Sequence, residues 1–423
     1  MKNLLIILIL PFHLLSQPYL KQNGKTRHRF AQSVFGIDLQ TSYGGQSSYI
    51  NETGGLQEFD FKSGLAPRFY ISGVHFWGHA EFFFSFQMGS LSKLMHNTTS
   101  YNFKQTDIFG TKIYPWPIQK KKVRPFIGAT VSAVSYHQSS PGLKGPVVSR
   151  IKIPLIAGIN YCTGRYLLEA GINYNFDPSL PYYISEKTPT KMQMPSLMAW
   201  IGIRKWLETT VASEKNYLDG TTEERYQKYK KAKKLSSWYF GAGPSSAFFT
   251  KHSPFNNEFY TFMDKPHSVI FPEVSSGYFY EPWGIHTELA FRYNSKKISG
   301  YGVSQQYQRT ALTAKAFKYL FDYHGFNPYL GACFGYEWLS FSNSHNGSTN
   351  LSINNQTAPG IIAGWDILPD KLQGFVLRTN LRYFPNLSVE PLTGKKIFLD
   401  QLEFNFIQLI IYPQRLKNFK SEG

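Results

Sequence analysis

Two short stretches carry the same pair of reactive side chains. His79-Ala80-Glu81 and His286-Thr287-Glu288 lie 207 residues apart, and each sets an imidazole two residues before a carboxylate. On a β-strand residues i and i+2 point the same way, so each pair could share a proton or contribute to a metal site. Two ligands are too few to hold a metal, and both pairs fall beside short turns, so the plainer expectation is hydrogen bonding within a packed polar interior. No metal ligand, cofactor or catalytic residue is therefore assigned. Ser135, His137 and Ser139, with Ser340, Ser342 and His345, form the remaining cluster eligible for hydrolysis, and serine-rich loops account for it without catalysis. The chain has no Walker loop, dinucleotide fingerprint or H-E-x-x-H.

Such pairs need strands to hold them, and alternation is what the sequence contains. In FWGHAEFFFSF (76–86), Ala80, Phe82, Phe84 and Phe86 share one parity, while His79, Glu81, Phe83 and Ser85 share the other. Period-2 segments recur near 33–43, 59–72, 77–88, 101–114, 123–137, 148–162, 165–176 and 192–206. A second set follows near 237–249, 268–280, 283–294, 309–321, 326–342, 355–367, 373–384 and 399–412. The sets match in detail: PFIGA (125–129) finds PYLGA (328–332), IAG (156–158) finds IAG (362–364), and Trp77-Gly78 finds Trp283-Gly284. An offset that stays near 206 over half the chain is the mark of a duplication.

Composition fits this reading. Aromatic residues make up 17% of the 423, equal to the charged fraction, which suits strands and interfaces. A mean hydropathy of −0.30 excludes a bundle of membrane helices. Residues 1–16 combine an early Lys2 with a short apolar run, too short for the roughly 20 residues of a spanning helix, and read as a secretory signal. Cys162 and Cys333 fall in strands of different halves and are expected as buried thiols. The net charge of +18 favours, in an exported chain, anionic lipid or saccharide surfaces over nucleic acid.

Alternation with one apolar and one charged face, long and short connections in turn, and aromatics near strand ends point to membrane barrels rather than a sandwich. On these segments the halves resemble the small eight-stranded outer-membrane β-barrel family, typified by the barrel of outer membrane protein A. The expected fold is thus all-β: an antiparallel transmembrane β-barrel class with two tandem eight-stranded barrels, one sixteen-stranded barrel being the alternative. The expected division is a signal peptide (1–16), a first barrel (17–206), a charged periplasmic linker (207–236), a second barrel (237–412) and a basic tail (413–423). An eight-stranded lumen is filled by side chains, so its charges must pair. The expected lumen network is His79, Glu81, Glu169, Arg204, His286, Glu288, Arg292, Arg378, Arg382 and Glu403. Trp77, Trp206, Trp238, Trp283 and Tyr412 are expected at the membrane interface. The functional expectation is a non-enzymatic anchor in the bacterial outer membrane that displays extracellular loops. Its expected partners are outer-membrane lipids, lipopolysaccharide or an envelope protein; a porin-like channel or a lipid or peptide hydrolase are the alternatives.

Overall fold

Each alternating segment pairs with its neighbours in antiparallel ladders, and both sets of eight close on themselves. The computed structural model describes residues 19–421 apart from 23–24, 52, 90, 97–98, 141–142, 209–210, 214–220, 267–268 and 369–373. The expected signal peptide and part of the linker lie outside the described residues.

The first ring comprises β1 (Gln32–Tyr43), β2 (Leu65–Val74), β3 (Ala80–Gln87), β4 (Thr99–Ile113), β5 (Val123–Ser140), β6 (Leu155–Cys162), β7 (Tyr166–Tyr174) and β8 (Leu197–Glu208). It closes where β8 pairs with β1, from Leu197 opposite Tyr43 to Glu208 opposite Gln32. The second comprises β9 (Ser237–Phe249), β10 (Val269–Tyr280), β11 (Ile285–Gly300), β12 (Val303–Tyr319), β13 (Phe326–His345), β14 (Ser348–Ile367), β15 (Phe375–Phe384) and β16 (Gln401–Ile411). It closes where β16 pairs with β9. Two closed rings replace the single sixteen-stranded barrel, because β8 spends its edge on β1 rather than on β9.

The first ring is interrupted and the second is not. Strand Leu143–Lys152 covers the outer half of β5, β6 covers the inner half, and Pro154, which has no N–H to give a ladder, stands in the break. In the second ring β13 and β14 run 20 residues each. The stretch SNSHNGSTNLSIN (342–354), which the alternating segments 326–342 and 355–367 leave as the connection between them, is the tip of their hairpin. Asn346 and Gly347 turn it with φ of 50° and 79°, the conformation that an Asn-Gly pair favours. Polar composition misled here because residues 345–351 are exposed on both faces of the hairpin.

Small elements close the outer ends. Over the first ring, the hairpins Gln46–Ile50/Leu56–Asp60 and Ser179–Tyr183/Pro189–Gln193 join in one sheet. They bury Tyr49, Phe59, Leu180, Tyr182, Met192 and Met194 with Tyr101 and Tyr136. Over the second, α2 (Pro254–Phe259) and the hairpin Ser388–Leu392/Lys395–Phe398 pack Phe255, Val389 and Ile397 against Tyr307 and Phe341. On the other side, α1 (Thr221–Lys231) in the linker buries Tyr229 and places Lys230 3.6 Å from Glu281.

The barrels stand side by side, and part of the apolar outward face is covered by protein. Phe82 and Phe84 point out of the first ring as their parity requires, but they meet the second ring rather than lipid. Phe82 stacks on Phe326 at 6.0 Å, Phe109 lies 5.4 Å from Trp365, and Phe84 and Ile108 share a buried cluster with Phe404 and Phe406. Beyond the membrane on the outer side, Tyr301 donates its N–H to the Lys144 carbonyl at 2.8 Å and its hydroxyl to that of Tyr183 at 2.9 Å, and Arg150 pairs with Asp264. On the periplasmic side Arg29 donates to the Leu368 carbonyl at 2.8 Å, and His75 stacks on Tyr323. Three layers of contact therefore fix the pair.

Candidate functional site: two neutral lumens

The inward face of each ring carries charge at membrane depth. In the first, Arg204 donates to both Asp38 oxygens at 3.0 Å and to Glu169 at 2.8 Å, its guanidinium lying 3.4 Å over the Tyr70 ring. Arg68 bridges Asp107 at 2.7 Å and Asp38 at 3.1 Å. Lys112 donates to Glu169 at 2.7 Å and to the Tyr70 hydroxyl at 2.9 Å. Glu81 accepts from the hydroxyls of Tyr70, Ser72 and Tyr114, and Arg124 caps the Tyr114 ring at 3.4 Å.

The second lumen is denser. Arg378 forks onto Asp366 at 2.8 and 2.9 Å and reaches Glu288 at 2.8 Å. Lys315 bridges Glu288 at 2.6 Å and Glu273 at 2.8 Å. Arg382 holds Glu273 and lies 3.3 Å from Glu403. Arg309 clasps Glu337 at 2.6 and 2.8 Å and also Glu403, which Arg292 meets from the other side. None of these charged residues is more than 5% exposed in either barrel. A charge in that setting is tolerable only when paired and hydrogen-bonded, so each cross-lumen contact is held by the desolvation cost of breaking it.

The two His-x-Glu pairs part company. Glu81 enters the network, but His79 stays in the turn before β3, with Nδ1 2.8 Å from the Tyr114 carbonyl. It is not a lumen residue, because the strand's alternation begins only at Ala80. His286 is fully buried between Phe279 and Phe317, at ring distances of 4.4 and 4.8 Å, with Nδ1 3.3 Å from Arg378. Arg378 serves both His286 and Glu288, which makes it the linking cation. Among the described residues no group of three or more His, Cys, Asp or Glu side chains could hold a metal ion.

The expected interface aromatics divide similarly. Trp238 and Trp283 are outward, at 55% and 66% exposed. Trp77 instead packs on His75 and on Tyr323 of the second barrel, at the periplasmic end of the seam. Trp206 and Tyr412 share the inward parity of Arg204 and Ile410 and fill the periplasmic mouths. Trp206 donates to the Gly164 carbonyl at 2.8 Å, and Tyr412 stacks under Arg415 at 3.9 Å. Arg415 belongs to α3 (Pro413–Ser421), so part of the expected basic tail is a helix folded back on the second barrel. Position near a strand end suggested an interface, and parity overruled it.

Sequence reasoning missed Asp38, Asp107, Lys112, Arg124, Arg309, Lys315, Glu337 and Asp366. They stand on strands for which no inward residue was assigned, and in β4 a bulge opposite Val131 and Ser132 puts Asp107 and Lys112 on opposite parities although both are buried in the lumen. Lys152 stands outside the network and pairs with Asp177 at 2.7 Å. In the outer-rim cluster none of the four serines is hydrogen-bonded to His137 or His345 among the described residues. The ring of His345 packs edge-on to Tyr260.

No protein-family model matches the chain, and no curated protein matches it. Among solved structures it is similar to Neisserial surface protein A, at 16% identity and a TM-score of 0.28 over 41% of this chain and 96% of that one. It is also similar to Ail, the attachment invasion locus protein of Yersinia pestis, at 13% and 0.27 over 42% and 96%. An outer membrane channel from Pseudomonas putida F1 matches at 9% and 0.21 over 94% and 98%. The architecture stands on the ladders themselves. Outward residues such as Leu168, Ile201, Leu289, Phe291, Phe334 and Ile361 are 46%, 64%, 51%, 47%, 54% and 63% exposed, while the inward ones are charged and buried. Closure pairs the first strand of each ring with its last and so removes the free terminal edges, which is the condition for crossing hydrocarbon with strands. The chain is an outer-membrane β-barrel protein built as two tandem eight-stranded barrels.

Proposed function

We propose that this protein is a non-enzymatic outer-membrane anchor whose second barrel holds a rigid hairpin outside the cell for contact with a ligand or envelope partner. The observation that carries the reading is that both lumens are crossed by buried ion pairs and capped at both ends, so neither offers a passage. A strand needs ~9–11 residues to cross the membrane, yet β13 and β14 have 20 each. The surplus of roughly ten residues extends about 30 Å along the strand. Near its tip Leu351 and Ile353 are 62% and 67% exposed, beyond the outward aromatics Tyr336 and Trp338 that suit a headgroup girdle. Exposed apolar side chains on a stiff ribbon above the bilayer suit contact with the saccharide or lipid portion of lipopolysaccharide or with a protein partner. Recording the purified chain in planar bilayers tests this: the anchor reading expects no stable conductance steps, and a large, stable open state would overturn it.

A further inference from the structure

The seam between the barrels is not filled from top to bottom. An apolar crevice of about 470 Å3 opens in it, walled by Phe35, Ile71 and Phe82 of the first barrel and Trp365, Phe375 and Leu377 of the second. We infer that this crevice binds an acyl chain of a phospholipid from the periplasmic leaflet, held between the barrels rather than exchanging with bulk lipid.

Depth identifies the leaflet. Phe35 lies near the start of β1, Ile71 near the end of β2, Trp365 near the end of β14 and Phe375 at the start of β15, and all four of those strand ends are periplasmic. Chemistry identifies the occupant. Of the three hydroxyls at the wall two are engaged, Ser72 Oγ with Glu81 and Thr379 Oγ with the Phe406 carbonyl, so water would find few partners there beyond Ser33. The volume falls within the roughly 300–1,000 Å3 of pockets that hold small ligands. Shape supports it as well, since Ser33 and Gly73 face each other in register and Gly73 is paired in turn with Phe82. Small side chains thus recess the wall directly beside the aromatic seam. The crevice is continuous with the established contact between barrels, so an alkyl chain there completes a seam that protein atoms leave open.

The wall can be filled on purpose. A Cβ placed on Gly73 meets only Phe30, at 3.4 Å, so Gly73→Leu projects its side chain into the crevice, and Ser33→Leu does so from the adjacent strand. Ala170→Leu, on the lipid face of β7 away from the seam, is the control. The full chain is purified in detergent, and retained phospholipid is measured by native mass spectrometry, with heat-modifiable gel migration reporting that each variant is folded. The proposal expects bound phospholipid in the wild type and in Ala170→Leu, and a several-fold loss in both crevice variants with migration unchanged. Equal retention in a folded crevice variant, no retention in the wild type, or a dimer or an unprocessed leader in place of lipid in the same spectra would overturn it.

Discussion

The two lumens balance their charge by different arrangements. The first holds four acids (Asp38, Glu81, Asp107, Glu169) against four bases (Arg68, Lys112, Arg124, Arg204); the second holds five (Glu273, Glu288, Glu337, Asp366, Glu403) against five (Arg292, Arg309, Lys315, Arg378, Arg382). One cross-strand pair is common to both, Glu81 opposite Lys112 and Glu288 opposite Lys315. Elsewhere the sign is exchanged. Glu169 of β7 corresponds to Arg378 of β15 at an offset of 209, and Asn160 opposite Glu169 corresponds to Asp366 opposite Arg378. Arg204 answers to Ile410 at an offset of 206. The anion–cation pair that joins β7 to β8 in the first barrel has moved to join β14 to β15 in the second. Neutrality is therefore a property of each closed ring rather than of any position, as expected where an unpaired buried charge costs more than any single pair gains.

That comparison is broken most severely by reversing one sign alone. Glu169→Arg would set a new cation beside Arg204 and Lys112 with no added acid. It should cost at least the ~3–5 kcal/mol of a broken buried pair and abolish the heat-modifiable form. Adding Asn160→Asp and Arg204→Ile, which installs the second barrel's arrangement in the first, should restore folding measured by the same gel shift. Failure of the triple variant would mean that position, not balance, decides.

The seam couples the two units, and a smaller loss follows from opening it. Phe109 touches Phe82, Phe84, Trp365 and Phe404. Phe109→Ala should cost about 2 kcal/mol, below the ~3–5 kcal/mol of a fully buried phenylalanine, and should split one thermal transition into two. Smaller again is Gly347→Val, which forces a β-branched residue into the left-handed turn of the β13–β14 hairpin. It should cost about 1–2 kcal/mol and loosen the second barrel's outer tip, seen as faster protease cleavage there, while leaving the first barrel's stability unchanged.

A handle that leaves most of the seam in place is pH. His75, in the periplasmic turn between β2 and β3, is 4% exposed against Phe30, Phe76 and Tyr323, and burial, aided by His324, pushes its imidazole down to about 3. Its folded value lies below the ordinary one near 6.5, so the separated state binds the extra proton. Its contribution is complete above about pH 6.5 and declines as pH falls toward about 3. Subtracting the stability profile of His75→Phe from that of the wild type should isolate this slope, and identical profiles would remove His75 from the contact.

Much of this was legible in alternation. A period of two gave all sixteen ring strands and the inward side of those that carry the assigned lumen residues, because in a membrane ring one face must meet hydrocarbon and the other cannot. Three things were not legible. The Asn-Gly turn was hidden by polar residues on both faces of the hairpin tip. The mouths hid Trp206 and Tyr412, whose placement near strand ends imitated an interface residue. The seam hid Phe82 and Phe84, since an outward aromatic that meets lipid and one that meets a second barrel have the same chemistry. The surplus of phenylalanine in FWGHAEFFFSF, without equal at 286–293, was the trace it left.

If each ring closes and neutralises itself, each half should fold by itself. Expressing residues 27–208 and 235–423 separately and comparing heated with unheated gel migration asks this directly. The account predicts that both halves shift on heating, as a folded barrel does, and that the second resists more denaturant because its strands are unbroken. A shift seen only when the halves are produced together would contradict it, and would mean that the lumens depend on each other across the seam.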